Sequence, residues 1–180
     1  MTFFSSCVAV FSPEKDNRES IFDSLDKLLS LNYSANNLSV LGRGSLQEGD
    51  NVIGVYKALN QIRFKGEQDE FWHALWDLLA GEAFLHIPKF GSLALAGGLS
   101  SILMVENGAI FYPKEYTELG RALHRVGIPA GSIYHYESLL KKGQLMLIVN
   151  GNNTDVENAC LILENSQSSH EVSLHFANTS

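Results

Sequence analysis

Six histidines and two cysteines are the side chains in this sequence best suited to metal or nucleophilic chemistry. The histidines are His73, His86, His124, His135, His170 and His175. None forms the HxxxH or HExxH pair that sets two imidazoles on one helix face around a zinc ion. His170 and His175 stand five apart in a segment that alternates like a strand, so they point to opposite faces. His73 reads as a hydrogen-bonded helix residue, one turn from Trp76 and Asp77. No metal site and no cofactor are expected. Cys7 and Cys160 lie in apolar surroundings and form neither a CxxC pair nor a zinc spacing. Both read as small buried hydrophobes in a reducing compartment. There is no GxSxG elbow, and neither cysteine has an electropositive setting that would lower its pKa. No catalytic residue is assigned, and the chain is read as non-enzymatic.

Two weaker constellations remain. Gly42-Arg43-Gly44 follows a strand, but no helix start and no GK[ST] continue it. It reads as a turn whose arginine is placed to meet an anion. Tyr112, Tyr116, Tyr134 and Tyr136 have apolar rings with polar tips, which suit a pocket wall or a packing boundary between the central segment and the flanking halves.

The bulk composition narrows the partners. With 180 residues and a net charge of −7, the chain can bury a core but lacks the excess of Lys and Arg that phosphate binding requires. Nucleic acid and a polybasic membrane anchor are both disfavoured. The first residues, MTFFSSCVAVFSPEK, carry no basic group ahead of their apolar run, unlike a signal peptide. Cytoplasmic residence is the expectation.

The elements that must position these residues fall into two similar halves. Cys7–Phe11 is a short apolar run of strand type, followed by Ser12-Pro13-Glu14 as a helix start and by Ile21, Phe22, Leu25, Leu28 and Leu29 at helical spacing. Leu38–Gly42 reads as a second strand. Later, Leu145–Val149 is a continuous apolar strand, Thr154-Asp155-Val156-Glu157 has the form of a capping box, and Val156, Ala159, Cys160 and Leu163 mark a helix face. Val172, Leu174 and Phe176 alternate with polar residues, as in a strand with one wet face. The expected fold is α+β, a ferredoxin-like core split by a large, mainly helical apolar insertion. Its boundaries are 1–43 for the first βαβ half, 44–143 for the insertion and 144–180 for the second half, all within one compact domain. The first and third core strands would be central and the other two would be edges. Two helices cover only one face of such a sheet, so the insertion or a second subunit must cover the other.

The insertion contains the most apolar stretch of the chain. Phe71–Ile110 has four charged side chains, Asp77, Glu82, Lys89 and Glu106. Phe71, Trp72, Leu75, Leu78 and Leu79 fit a helix face, and Pro88 breaks the next segment. Ala94 with Gly98, and Gly97 with Ser101, repeat at the four-residue spacing that permits close helix contact. The run without an ionisable residue, 90–105, falls slightly short of the roughly 20 residues that span a bilayer. Pro113 opens another amphipathic helix that Gly127-Ile128-Pro129 stops, and Ser132 starts a last one that Gly143 ends.

Several short motifs recur here in a familiar order: Phe71-Trp72, Ile87-Pro88, Gly91–Gly98, Leu119-Gly120, Gly127-Ile128-Pro129 and Tyr136-Glu137. In that order, with the flanking halves, the chain resembles the bacterial general-stress-protein-like family, also called heat-induced stress proteins. The resemblance implies a fold and a stress context, and no catalytic residues. The family's middle segment is richer in glycine and freer of charge, whereas His73, Asp77, Glu82 and His86 interrupt it here. That interruption counts against a bilayer role.

The functional expectation is a non-enzymatic cytoplasmic stress-associated protein that self-assembles, as a homo-oligomer, through the apolar insertion. Phe71, Trp72, Trp76, Leu93, Leu95 and Leu99 are its expected interface. Two alternatives stand beside it: peripheral or hairpin membrane association through the same segment, and small-ligand sensing on the ferredoxin-like core, the last by fold analogy.

Overall fold

The apolar run around Cys7 forms β1 (Ser5–Phe11), and all of its residues are buried. A strand buried on both sides must sit in the middle of a covered sheet. β1 indeed lies between β5 (Leu145–Gly151) and β6 (Glu171–His175), antiparallel to both. The computed structural model describes residues 4–46, 62–79, 81–87, 91–106, 118–165 and 171–176. Within them the protein is α+β. Its six-stranded antiparallel sheet has the order β3-β4-β2-β5-β1-β6, with β2 at Leu38–Arg43, β3 at Glu82–Ile87 and β4 at Gly91–Gly97. The helices are α1 (Lys15–Ser30), α2 (Gln68–Leu78), α3 (Leu99–Glu106), α4 (Glu118–Arg125), α5 (Ala130–Lys141) and α6 (Asn153–Glu164).

Side-chain alternation sends β1 into two cores. Cys7, Ala9 and Phe11 meet Ile21, Leu25 and Leu28 of α1, Trp72 and Leu75 of α2, and Val156, Ala159 and Leu163 of α6. Val8 and Val10 meet Leu99 of α3, Leu119 and Leu123 of α4, and Ile133 and Leu140 of α5. The chain therefore covers both faces of its own sheet. The central segment supplies α3, α4 and α5 for the second face, so no partner is needed there.

Part of the central segment is strand, whereas its other described elements, α2, α3, α4 and α5, are helices. Glu82–Ile87 and Gly91–Gly97 form an antiparallel pair, and β4 pairs onto β2, so β2 is an interior strand rather than an edge. The small residues have a different use from the one expected. A Cβ on Gly97 would stand 1.9 Å from the Leu38 carbonyl oxygen, and one on Gly98 would stand 1.8 Å from that of Asn36. The glycines let β4 turn into α3 directly against the backbone that enters β2, where Gly98 N–H donates to Leu38 O at 3.0 Å. The four-residue spacing thus reflects backbone passing backbone, not helix on helix.

Two helix starts are also shifted. The N-cap of α1 is Glu14 rather than Ser12. That of α6 is Asn152 rather than Thr154, with the Asn152 carboxamide oxygen accepting from Asp155 N–H at 2.9 Å. The Asn152 side-chain amide also donates to the Asp155 carboxylate at 2.9 Å. This is the reciprocal logic of a capping box, built two residues earlier.

Candidate functional site

The residues expected to form an interface are inside the protein. Leu93 and Leu95 are fully buried, Trp72 and Leu99 nearly so, and Phe71 and Trp76 leave 5% and 7% exposed. On the α2 side of the sheet Trp72, Trp76 and Phe84 pack against Phe64 and Phe71 packs against Trp72, and the Trp76 indole N–H donates to Leu95 O at 3.0 Å. Leu93, Leu95 and Leu99 belong to the opposite core. All six pack within one chain, on two different faces of the sheet. Among the described residues, no helix is long and apolar enough to cross a membrane.

Cys7 and Cys160 are joined as a disulfide, with Cα atoms 5.7 Å apart across 153 residues of sequence. The expectation of two unpaired thiols is corrected, and with it falls the cysteine argument for a reducing compartment. Arg43 is already engaged: its guanidinium donates to Lys141 O at 3.2 Å, at the end of α5. His73 Nε2 lies 2.8 Å from Ile62 O and 3.5 Å from the Asp69 carboxylate, so it is held from its own helix and from the segment before it. Among the described residues, no group of three or more His, Cys, Asp or Glu is placed to hold a metal ion. Tyr112, Tyr116, His170, Pro88 and Pro113 lie outside the described residues. Tyr134 points to solvent, whereas Tyr136 is buried.

Tyr136 belongs to a polar cluster that ties α5 to the edge strand β6. Its hydroxyl lies 2.6 Å from His175 Nε2, and His135 Nε2 lies 3.0 Å from a Glu171 carboxylate oxygen. Burial pushes the Tyr136 phenol up, with Ser173's hydrogen bond opposing and the Glu171 charge adding. Burial pushes the His175 imidazole down, with Glu171 opposing. Both groups are thereby held neutral near pH 7, and the phenol can donate to an unprotonated imidazole nitrogen. These contacts form a latch that ties β6 to α5.

The latch should be pH-sensitive. A histidine whose pKa is lower folded than unfolded costs nothing at high pH and destabilises the protein as pH falls below about 6.5. The urea midpoint should therefore fall more steeply between pH 7 and pH 5 in the native protein than in His175→Gln. Parallel pH profiles would remove His175 from the account.

The open concavity lies on the other side, between the end of α1 and the outer face of α6. Asn32 adopts φ 69°, with its N–H bonded to Leu29 O and that of Tyr33 to Leu28 O, a Schellman end that stops α1. Asparagine tolerates this left-handed conformation better than other non-glycine residues. The turn aims Tyr33 across the gap, where its hydroxyl donates to Asp155 O at 2.8 Å. Burial, then the Asp155 charge, raises the Tyr33 pKa, so this donor stays protonated. The resulting groove, of about 550 Å³, is lined by Asn32, Asn37, Asn150, Asp155 and Asn158, with Leu31 and Ile162 as apolar rim residues. Among the described residues, no Lys, Arg or His lines it. Among the described residues, the four asparagine side chains make no hydrogen bond within the chain, so their amide donors and carbonyl acceptors are not taken up by it.

The sequence reading missed this groove. Its asparagines come from three separated segments. The only sequence signal is the density of asparagine around positions 32–37 and 150–158. No family model, no curated protein and no solved structure matches the chain.

Proposed function

We propose that this protein is a non-enzymatic binding module that holds a small, uncharged, polyhydroxylated ligand in the groove between α1 and α6. The observation that carries this reading is that four asparagines and, among the described residues, no Lys, Arg or His line one concavity. Each carboxamide offers both donors and an acceptor, which matches vicinal hydroxyls and suits neither phosphate nor carboxylate. The adjacent Asp155 carboxylate further disfavours anions, and the Leu31 and Ile162 side chains can meet the apolar face of a sugar ring.

The strand order β2-β5-β1-β6 supports a ferredoxin-like core for this module, with β3 and β4 extending it on the β2 side. The stress setting implied by the motif order is carried with the proposal. Homo-oligomerisation would need a surface other than the six buried apolar side chains, and hairpin membrane association would need Leu93, Leu95 and Leu99 to leave a core that already packs them.

Thermal shift tests the reading. Trehalose, maltose and myo-inositol are compared with phosphate and citrate at low millimolar concentration, where general exclusion effects of sugars are small. At about ten times Kd, linkage gives about 1.4 kcal/mol, or roughly 3–6 °C for a chain of this size. Asn158→Leu, on the exposed face of α6, should abolish the shift without changing the unliganded Tm. A shift with the anions alone, or one that survives Asn158→Leu, would overturn the assignment.

A further inference from the structure

The groove's outer wall, α6, forms a unit with β6 that, besides the β1–β6 ladder and the packing of α6 on the sheet, is fixed to the rest of the protein in two ways. On one face of the sheet the Tyr136–His175 and His135–Glu171 contacts hold β6 to α5. On the other, the Cys7–Cys160 disulfide bolts α6 to the central strand β1. The Cys160 sulfur also lies 3.9 Å from Ser173 O of β6, so the staple sits where α6, β1 and β6 meet. We propose that the Cys7–Cys160 disulfide is a redox staple that controls local opening of the α6–β6 unit, and with it the integrity of the groove wall. The regulatory meaning rests on the groove reading, whereas the staple itself does not.

β6 is an edge strand of five half-buried residues, and thinly covered edge strands open at lower free energy than central strands. While the disulfide is intact, α6 cannot leave β1. When it is cut, the packing of Val156, Ala159 and Leu163 and the Ser5–Asn153 and Tyr33–Asp155 hydrogen bonds are left to hold the helix. The reaction is thiol–disulfide exchange with a dithiol. One thiolate of the reductant attacks a protein sulfur, the S–S bond breaks, and the departing cysteine thiolate takes up a proton. The second thiol resolves the mixed disulfide, so two electrons pass to the protein and the reductant leaves as a cyclic disulfide. Cys7 is fully buried and Cys160 is 4% exposed, so exchange must wait for a partial opening of α6.

Hydrogen exchange by mass spectrometry on the full chain tests this, with and without dithiothreitol and with Cys7→Ala/Cys160→Ala as a reductant-free control. Cutting a cross-link that acts only on the unfolded chain lowers protection of every core element by one common factor. The staple model predicts that 153–175 loses at least about tenfold more protection than β5 and α1 do. An equal loss everywhere, or none, would overturn it, as would two cysteines that alkylate without prior reduction. Adding trehalose separates the two proposals. A groove ligand should slow both α6 exchange and disulfide reduction. If trehalose changes neither while the selective loss at 153–175 persists, the groove reading fails and the staple stands.

Discussion

Trp72→Ala is expected to lower the unfolding free energy by about 3–5 kcal/mol, the range for deleting a fully buried large aromatic. That is a large part of the roughly 5–15 kcal/mol available to an ordinary domain. The indole is 1% exposed and lies over Gly42 of β2, where an added Cβ would meet it at 3.0 Å. It also packs against Phe64 and Phe71, with ring centroids 6.4 and 5.1 Å away. Alanine would leave a void bounded by strand backbone and rigid rings, which cannot collapse to fill it. Urea unfolding followed by circular dichroism measures the effect, with light scattering on the same samples. A midpoint shift at unchanged mass is the expected outcome. A change of oligomeric state at unchanged stability would restore Trp72 to an interface and overturn the placement in the core.

The elements legible in the sequence were those whose local pattern and tertiary role agree. Cys7–Phe11 and Leu145–Val149 are continuous apolar runs, and both lie in the middle of the sheet with cores on either side. Val172 and Leu174 alternate with Glu171 and Ser173, and the strand they form is indeed an edge. The central segment failed for a physical reason. Ser92–Val105 is rich in apolar and small residues, and a short buried strand running into a helix of that composition carries no periodicity that separates one from the other. Its glycines and alanines satisfy a helix-contact pattern and a strand-crossing pattern equally well. The disulfide was illegible because Cys7 and Cys160 are 153 residues apart and nothing local links them. The groove was illegible for a similar reason. It exists only because the Asn32 turn, the end of β5 and the outer face of α6 converge after the sheet has formed.

Gly97→Ala should be nearly as damaging as the loss of Trp72, although it adds a single methyl group. Two costs combine. Gly97 has φ 102°, a conformation that L side chains rarely adopt, and such strain costs about 1–3 kcal/mol. The new Cβ would also stand 1.9 Å from the Leu38 carbonyl oxygen and 2.9 Å from the Ser39 Cα. These neighbours are backbone atoms at the start of β2, so no side chain can rotate away. Overpacking of this kind adds about 1–3 kcal/mol, giving a total of about 2–6 kcal/mol. β4 must then part from β2 at the register pair Ser39–Gly97, and the Ser39 hydroxyl, which accepts from Leu99 N–H at 2.9 Å, loses its hold on α3. Gly91→Ala is the informative control, because its φ of 111° is equally strained while its nearest neighbour is the movable Arg43 guanidinium at 3.2 Å. Chemical denaturation of both variants should show Gly97→Ala as the more destabilised by roughly the overpacking cost. Equal losses would mean that conformational strain alone matters, and that the chain can open the approach of β4 to β2 without penalty.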